Sequence, residues 1–155
     1  MNSSLDNADR RILKILQENN LTPQRTIGEK VHLSAAAVQR RIKRLQEEKI
    51  IQSNIAILNP LHAGSFITLI VMVELTNERL DLLDAAKASF LKEPEVQQCY
   101  YVTGDSDFVL VIVVPSMFAY EALTRRIFFE NQNVKHFYAL VVMDRVKANL
   151  SIPII

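Results

Sequence analysis

Two stretches of this chain, ITLIVMV (67–73) and FVLVIVV (108–114), are apolar at nearly every position, and they restrict the fold more than any other feature. They are too short to cross a membrane as helices, and their β-branched content favours strands. A sheet with helices on one face and water on the other alternates apolar and polar residues. These strands do not alternate, so both faces of their sheet are expected to be covered. The surrounding pattern supplies one cover. Strands are read at 66–75, 96–104, 107–115 and 134–144. Helical spacing runs over 79–91, through Leu80, Leu83, Ala86 and Phe90, and over 116–131, where Ser116 can cap. Pro94 stops the first of these helices, and Gly104-Asp105-Ser106 turns the second strand into the third as an antiparallel hairpin. The order β-α-β-β-α-β is the ferredoxin-like split βαβ arrangement. Its open face is expected to meet the same face of a second copy related by a twofold axis. The chain's own N-terminal helices are the alternative cover.

Before residue 60 the period is helical. Asp6 can cap a helix running to about Asn19, with Asp9 in its first turn and Ile12, Leu13 and Leu16 on its apolar face. Thr22-Pro23 is a start signal for a short second helix ending near Val31. His32-Leu33-Ser34 then forms a turn in which Ser34 caps a third helix. There Val38, Ile42 and Leu45 build one apolar stripe, and RRIKR (40–44) carries the charge. A cationic helix docked on a short partner suits the major groove of double-stranded DNA. Gln39 and Arg40 have the geometry for bidentate base contacts. Arg25, Arg41, Lys43 and Arg44 are expected to hold phosphates. Ser34 and Ala36 stand at the helix entry, where an alanine offers only a methyl to the bases. IIQSNIAILNP (50–60) reads as a small hairpin or wing. The expected organisation is α+β: a winged helix-turn-helix domain over 1–59, a linker at 60–64, and the ferredoxin-like domain over 65–155.

Charge supports that division. Residues 1–60 hold ten Lys/Arg against six Asp/Glu, and residues 61–155 hold eight against eleven. The basic part is the one suited to a polyanion. One cysteine, Cys99, excludes an internal disulfide and fits a reducing cytoplasm. No basic start with an apolar stretch marks a signal peptide, so an intracellular protein with no membrane association is expected.

The ordered set LDNADRRILKIL, RRIKRLQEEKII, YVTGDSDFVL and FYALVVMDRVK resembles the Lrp/AsnC, or feast/famine, family of transcription regulators across essentially the whole chain. The resemblance implies DNA binding through the N-terminal helices and dimerisation through the C-terminal domain. It implies assembly of the homodimers into octameric rings. It also implies an amino-acid effector, and no other cofactor, bound near the turn between the second and third strands. Gly104, Asp105, Ser106 and Asp107 match the family's effector turn, which Tyr101 and Thr103 flank. Three places depart from the family pattern: His32 and Lys49 stand where relatives often carry glycine, and Ala35-Ala36-Ala37 opens the recognition helix where they often carry polar residues or prolines.

The turn chemistry is compatible with a zwitterion. Backbone N–H groups around Gly104 can hold a carboxylate, and Asp105 or Asp107 can take an ammonium. An ordinary hairpin with solvated aspartates is the alternative. Tyr100, Tyr101, Val102 and the strand from Tyr138 to Met143 supply an apolar lining suited to leucine or methionine. The three histidines and Cys99 show no metal spacing, and no nucleophile motif or phosphate loop marks an enzyme. An RNA-binding sheet would carry exposed aromatics in a basic strand, unlike DFVLVIVV. A sensory module acting through a protein partner is a further alternative.

Overall fold

The computed structural model describes residues 5–155, with the backbone alone at Pro60 and Leu61. The first four residues of the expected 1–59 domain lie outside the described residues. The described residues form two compact units, one of residues 5–57 with Lys147–Ile155, the other Leu58–Val146.

In the first unit, helices α1 (Asn7–Glu18), α2 (Gln24–Val31) and α3 (Ala35–Glu47) enclose a small core. Ile12, Ile27, Val31 and Val38 are buried at its centre, with Ile15, Leu16, Leu33 and Ile42 packed around them. Asp6 begins α1 with a reciprocal cap: its carboxylate accepts the Asp9 N–H at 2.8 Å, and the Asp9 carboxylate accepts the Asp6 N–H at 3.3 Å. Thr22 does not cap α2 as expected. Its hydroxyl donates to the Asn19 carbonyl, and α2 starts from Pro23 without a side-chain cap.

The expected wing is absent among the described residues. Residues 51–59 form no ladder, and Ile55 and Ile57 stay largely exposed. A two-stranded hairpin with no core behind it is marginal in water. Part of the expected 60–64 linker is instead a short helical turn, α4 (Pro60–Ala63).

The C-terminal residues correct a second boundary. They were assigned to the ferredoxin-like domain, yet Lys147–Ile155 belongs to the helical unit. Gln17 of α1 uses both ends of its amide on the backbone of Ile152. Its Nε2 donates to the carbonyl at 3.0 Å, and its Oε1 accepts the N–H at 2.8 Å. Arg10 Nε adds a 2.6 Å bond to the Ile155 carbonyl.

The second unit is a four-stranded antiparallel sheet in the order β2-β3-β1-β4. Its strands are β1 (Ile67–Leu75), β2 (Val96–Tyr101), β3 (Phe108–Val114) and β4 (Val134–Val141). Leu69, Val71, Val73 and Leu75 alternate out of β1 onto one face, joined by Phe108, Leu110, Ile112 and Val114 of β3. Helix α5 (Leu80–Lys92) covers them with Leu83, Ala86 and Phe90. Leu80, expected on the same face, is the first residue of the helix and is exposed. Phe90 meets Phe108 edge-on at 5.3 Å.

The expected single helix over 116–131 is divided. α6 (Met117–Thr124), capped by Ser116, runs into a π-helical turn, Arg125–Phe129, which delivers Ile127 and Phe128 to the core. On the opposite sheet face the cross-strand register aligns Tyr100, Val109, Met72 and Tyr138 in one row and Gln98, Val111, Ile70 and Leu140 in the next. Tyr100, Tyr138 and Leu140 are exposed there, and among the described residues no helix of the unit packs over these rows.

Candidate nucleic-acid interface and effector turn

The geometry of α2, the turn and α3 depends on three residues. His32 adopts the left-handed conformation, φ 58° and ψ 47°, where an L residue other than glycine carries a modest cost. Lys49 does the same at the end of α3, φ 59°, and there the N–H groups of Ile50 and Ile51 both close onto the Leu45 carbonyl. Gly28 supplies the close approach. Leu33 N–H donates to its carbonyl at 2.9 Å, and a β-carbon at this position would lie 2.4 Å from the Leu33 carbonyl oxygen. Ser34 then caps α3, accepting the Ala37 N–H at 3.2 Å.

Val38 and Leu45 point into the unit, and Ser34, Ala36, Gln39, Arg40 and Lys43 are exposed along the other side of α3. Arg40 and Gln39 make no hydrogen bond or ion pair among the described residues. Lys43 lies 3.8 Å from Glu47, and Arg25 of α2 lies 3.3 Å from Glu29; both are solvated i,i+4 pairs worth little.

Arg41 and Arg44 are differently placed. Arg41 Nη1 donates to Asp6 at 2.7 Å and to Asp9 at 2.8 Å, and Arg44 Nη2 donates to the second oxygen of Asp9 at 2.5 Å. Asp9 is only 1% exposed. The expectation that Arg41 and Arg44 hold phosphates therefore has to be revised for this conformation, since α1 already occupies both guanidiniums. Arg44 stands at i,i+4 spacing from Glu48, yet its ion pair is with Asp9. The Asp9 N–H, followed by Arg41, holds the Asp6 carboxyl below its ordinary value. That interaction therefore stabilises the unit at neutral pH and is lost as the pH falls through the lowered value.

In the second unit the turn after β2 projects beyond the sheet. Val102 N–H closes onto the Asp107 carbonyl at 2.9 Å. Gly104 sits at φ 122° with open space where a side chain would begin, so its backbone conformation, not crowding, calls for glycine. Tyr101 is half exposed, tilted against Phe108 with centroids 5.4 Å apart, and Lys87 Nζ lies 5.4 Å from its ring. Thr103 and Asp105 are exposed.

Asp107 has a structural task beside the ligand role expected of it. Its Oδ2 accepts the Leu75 N–H at 2.6 Å while its own N–H donates to the Val73 carbonyl at 2.9 Å, so it clamps the end of β1 to the start of β3. A ligand role alone would let Asp107→Ala leave the fold intact. The clamp instead predicts a loss of about 1–3 kcal/mol in chemical denaturation, because a strand-end N–H is left without its acceptor. Unchanged stability would return Asp107 to the pool of ligand groups.

A cleft of about 460 Å³ opens at the same end of the sheet, between the π-helical turn and the start of β4, lined by Phe128, Phe129, Gln132, Lys135 and His136 among others. Among the described residues no three His, Cys, Asp or Glu side chains gather as a metal would require. No helix among them is long and apolar enough to cross a membrane.

Residues 5–46 match the AsnC-type helix-turn-helix domain, and residues 68–152 match the Lrp/AsnC ligand binding domain. The chain belongs to the Lrp/AsnC family. The HTH-type transcriptional regulator y4tD of Sinorhizobium fredii is 45% identical over 97% of this chain and 89% of its own length. The leucine-responsive regulatory protein of Salmonella typhimurium is 32% identical over 92% of this chain and 87% of its own. Among solved structures, transcriptional regulator NMB0573 of Neisseria meningitidis in complex with L-Met superposes with a TM-score of 0.84 at 27% identity, covering 97% of both chains.

This Lrp/AsnC chain is therefore a helix-turn-helix transcription regulator with a small-molecule-binding domain, in a family of regulators and not of enzymes. Helix α3 presents Ser34, Ala36, Gln39, Arg40 and Lys43 together, leaves Arg25 on the neighbouring α2, and turns Arg41 and Arg44 inward. The turn after β2 groups Tyr101, Thr103, Gly104, Asp105 and Ser106, with Asp107 at its root. Two contacts, the close approach at Gly28 and the arginine pairing of Asp9, were not read from sequence. Gly28 gave no signal, because an isolated helical glycine resembles a weak helix position. Asp9 did carry one, its i+3 spacing from Asp6, but its arginine partners lie 32 and 35 positions downstream.

Proposed function

We propose that α3 enters the DNA major groove with Gln39 and Arg40 facing bases, Lys43 and Arg25 on phosphates, and Ser34 and Ala36 at the point of entry. The observation that carries this reading is the sorting of charge on α3: Arg40 and Lys43 face solvent beside Gln39, while the side behind them is fixed to α1 and α2. Arg41 and Arg44 serve this surface from behind as scaffold. Arg40→Ala is expected to weaken binding to the specific site ten- to hundredfold, corresponding to about 1–3 kcal/mol for a bidentate base contact. Binding to random DNA should weaken far less. Titrations across a salt series measure both, and equal losses on the two DNAs would reduce Arg40 to a phosphate contact.

The same reading assigns the apolar sheet face to a homodimer, with dimers assembling to an octamer, and places the protein in the cytoplasm. The turn at Tyr101–Asp107 is assigned to an amino acid. Asp105, exposed and without a partner among the described residues, takes the ammonium, and backbone N–H groups near Gly104 take the carboxylate. The exposed tyrosine at 101 favours an apolar side chain, and the L-Met complex of the Neisseria regulator supports methionine or leucine as the class. A thermal-shift screen of the twenty amino acids tests this assignment. Stabilisation by methionine or leucine that disappears in Asp105→Ala is the expected result, and stabilisation that survives in this variant places the ammonium elsewhere.

A further inference from the structure

Four cations occupy five consecutive positions of α3: Arg40, Arg41, Lys43 and Arg44. If all of them reached DNA, most of the binding energy would be independent of sequence, because each phosphate contact releases counterions from any duplex. Only two point outward. The other two meet a pair of carboxylates at the N-terminus of α1, arranged much as a backbone phosphate would meet them. Asp9 gives one oxygen to Arg41 and the other to Arg44, and Asp6 gives a second acceptor to Arg41. The arginines themselves are not sealed in. Their side chains remain 29% and 40% exposed, and Arg44 Nε is buried without an acceptor among the described residues. Both guanidiniums are thus withheld from phosphates while staying one side-chain rotation from solvent.

We propose that Asp6 and Asp9 are specificity-determining residues, which raise the ratio of specific to non-specific DNA binding by occupying Arg41 and Arg44. The inference rests on α3 being the DNA-facing helix. On random DNA the helix has no fixed register, so freed arginines would find phosphates in many poses. On the specific site the base contacts fix the register, and far fewer phosphates fall within reach. Freeing the arginines therefore strengthens non-specific binding more than specific binding.

The test uses the full-length protein carrying Asp6→Asn, Asp9→Asn and both together. Asparagine is as good a helix cap as aspartate, so α1 keeps its start. For the double variant, the plot of log affinity against log salt on random DNA is expected to steepen by about 1–2, at about 0.9 per added phosphate. Affinity for random DNA at low salt should rise about tenfold or more, with a smaller gain on the specific site. Asp6→Asn alone alters a half-exposed residue and releases one of the two acceptors of Arg41; it is expected to steepen the slope by up to about 0.9. This single variant decides the matter if the double one does not fold. A folded Asp6→Asn protein with the parental slope and the parental specificity ratio overturns the proposal. Arg40→Ala in the parent background separates the two failures. If it leaves DNA binding unchanged, α3 is not the DNA-facing helix; if it weakens binding while the asparagine variants behave as the parent, only the role of the carboxylates is lost.

Discussion

Replacing Ile70 with Lys is expected to break the protein into monomers and to lower its affinity for DNA by a hundredfold or more. Ile70 lies mid-strand on the sheet face that α5 and α6 do not cover, flanked in register by Val111 and Leu140. The neighbouring row, Tyr100, Val109, Met72 and Tyr138, extends the apolar surface across all four strands. A contiguous surface of this kind marks an interface. A lysine at its centre would have to be desolvated against its own symmetry mate, where like charges meet, and that costs several kcal/mol. The fold should survive, since the residues packed under the helices, Leu69 and Val71, are untouched. The DNA effect follows from arithmetic. Linked reading heads gain about 10²–10⁴ in avidity over a single one, and a monomer forfeits that gain. Sedimentation velocity with and without the substitution measures the first consequence, and a titration on the specific site measures the second. Unchanged sedimentation would mean that something other than a second copy covers the face.

Gly28→Ala is expected to cost the helical unit about 3 kcal/mol, a large part of the stability of a small domain. The added methyl would arrive 2.4 Å from the Leu33 carbonyl oxygen, a backbone atom that cannot rotate away. Relief requires moving α2 away from the turn. That would strain His32, already in the left-handed region, and displace Ser34 from the cap of α3. Chemical denaturation followed by helical circular dichroism reads the loss, and specific DNA binding should fall even where the protein remains folded. The comparison with Gly104→Ala is informative. There no atom lies within 4 Å of the added carbon and only the positive φ resists, so the penalty should be smaller and confined to the turn. Equal penalties at both sites would show that the α2–α3 contact is more compliant than the distance implies.

These two glycines also show where sequence reading succeeds and where it stops. The strands of the sheet were recoverable because short, nearly continuous apolar runs and β-branched composition are local signals, and the resulting order β2-β3-β1-β4 follows from the split βαβ pattern. Ser34 was recoverable because capping needs only the next three residues. His32 and Lys49 drew notice as side chains at helix ends that favour glycine, and both do occupy positive φ. The failures share one cause. Arg41, Arg44 and Asp107 were assigned by residue type and by position in a motif, but their partners, Asp6, Asp9 and the Leu75 N–H, are more than thirty residues away. A charged side chain carries no local mark of whether it faces solvent or a distant carboxylate. The expected wing failed differently: its apolar residues and the Ser53-Asn54 turn signal suggested a hairpin, but residues 51–59 form no strand among the described residues.

The bond between Gln17 and Ile152 has a consequence during synthesis. Its two halves are separated by 135 positions. A ribosome adding about 5–20 residues per second therefore exposes α1 on the order of ten seconds before the segment that completes its outer surface exists. During that interval the whole ferredoxin-like unit is made and can fold. The helical unit is thus the first part to be synthesised and the last to be finished, and a chain stopped after β4 would carry a nascent regulator whose sheet is complete and whose DNA-binding unit still lacks its final strap.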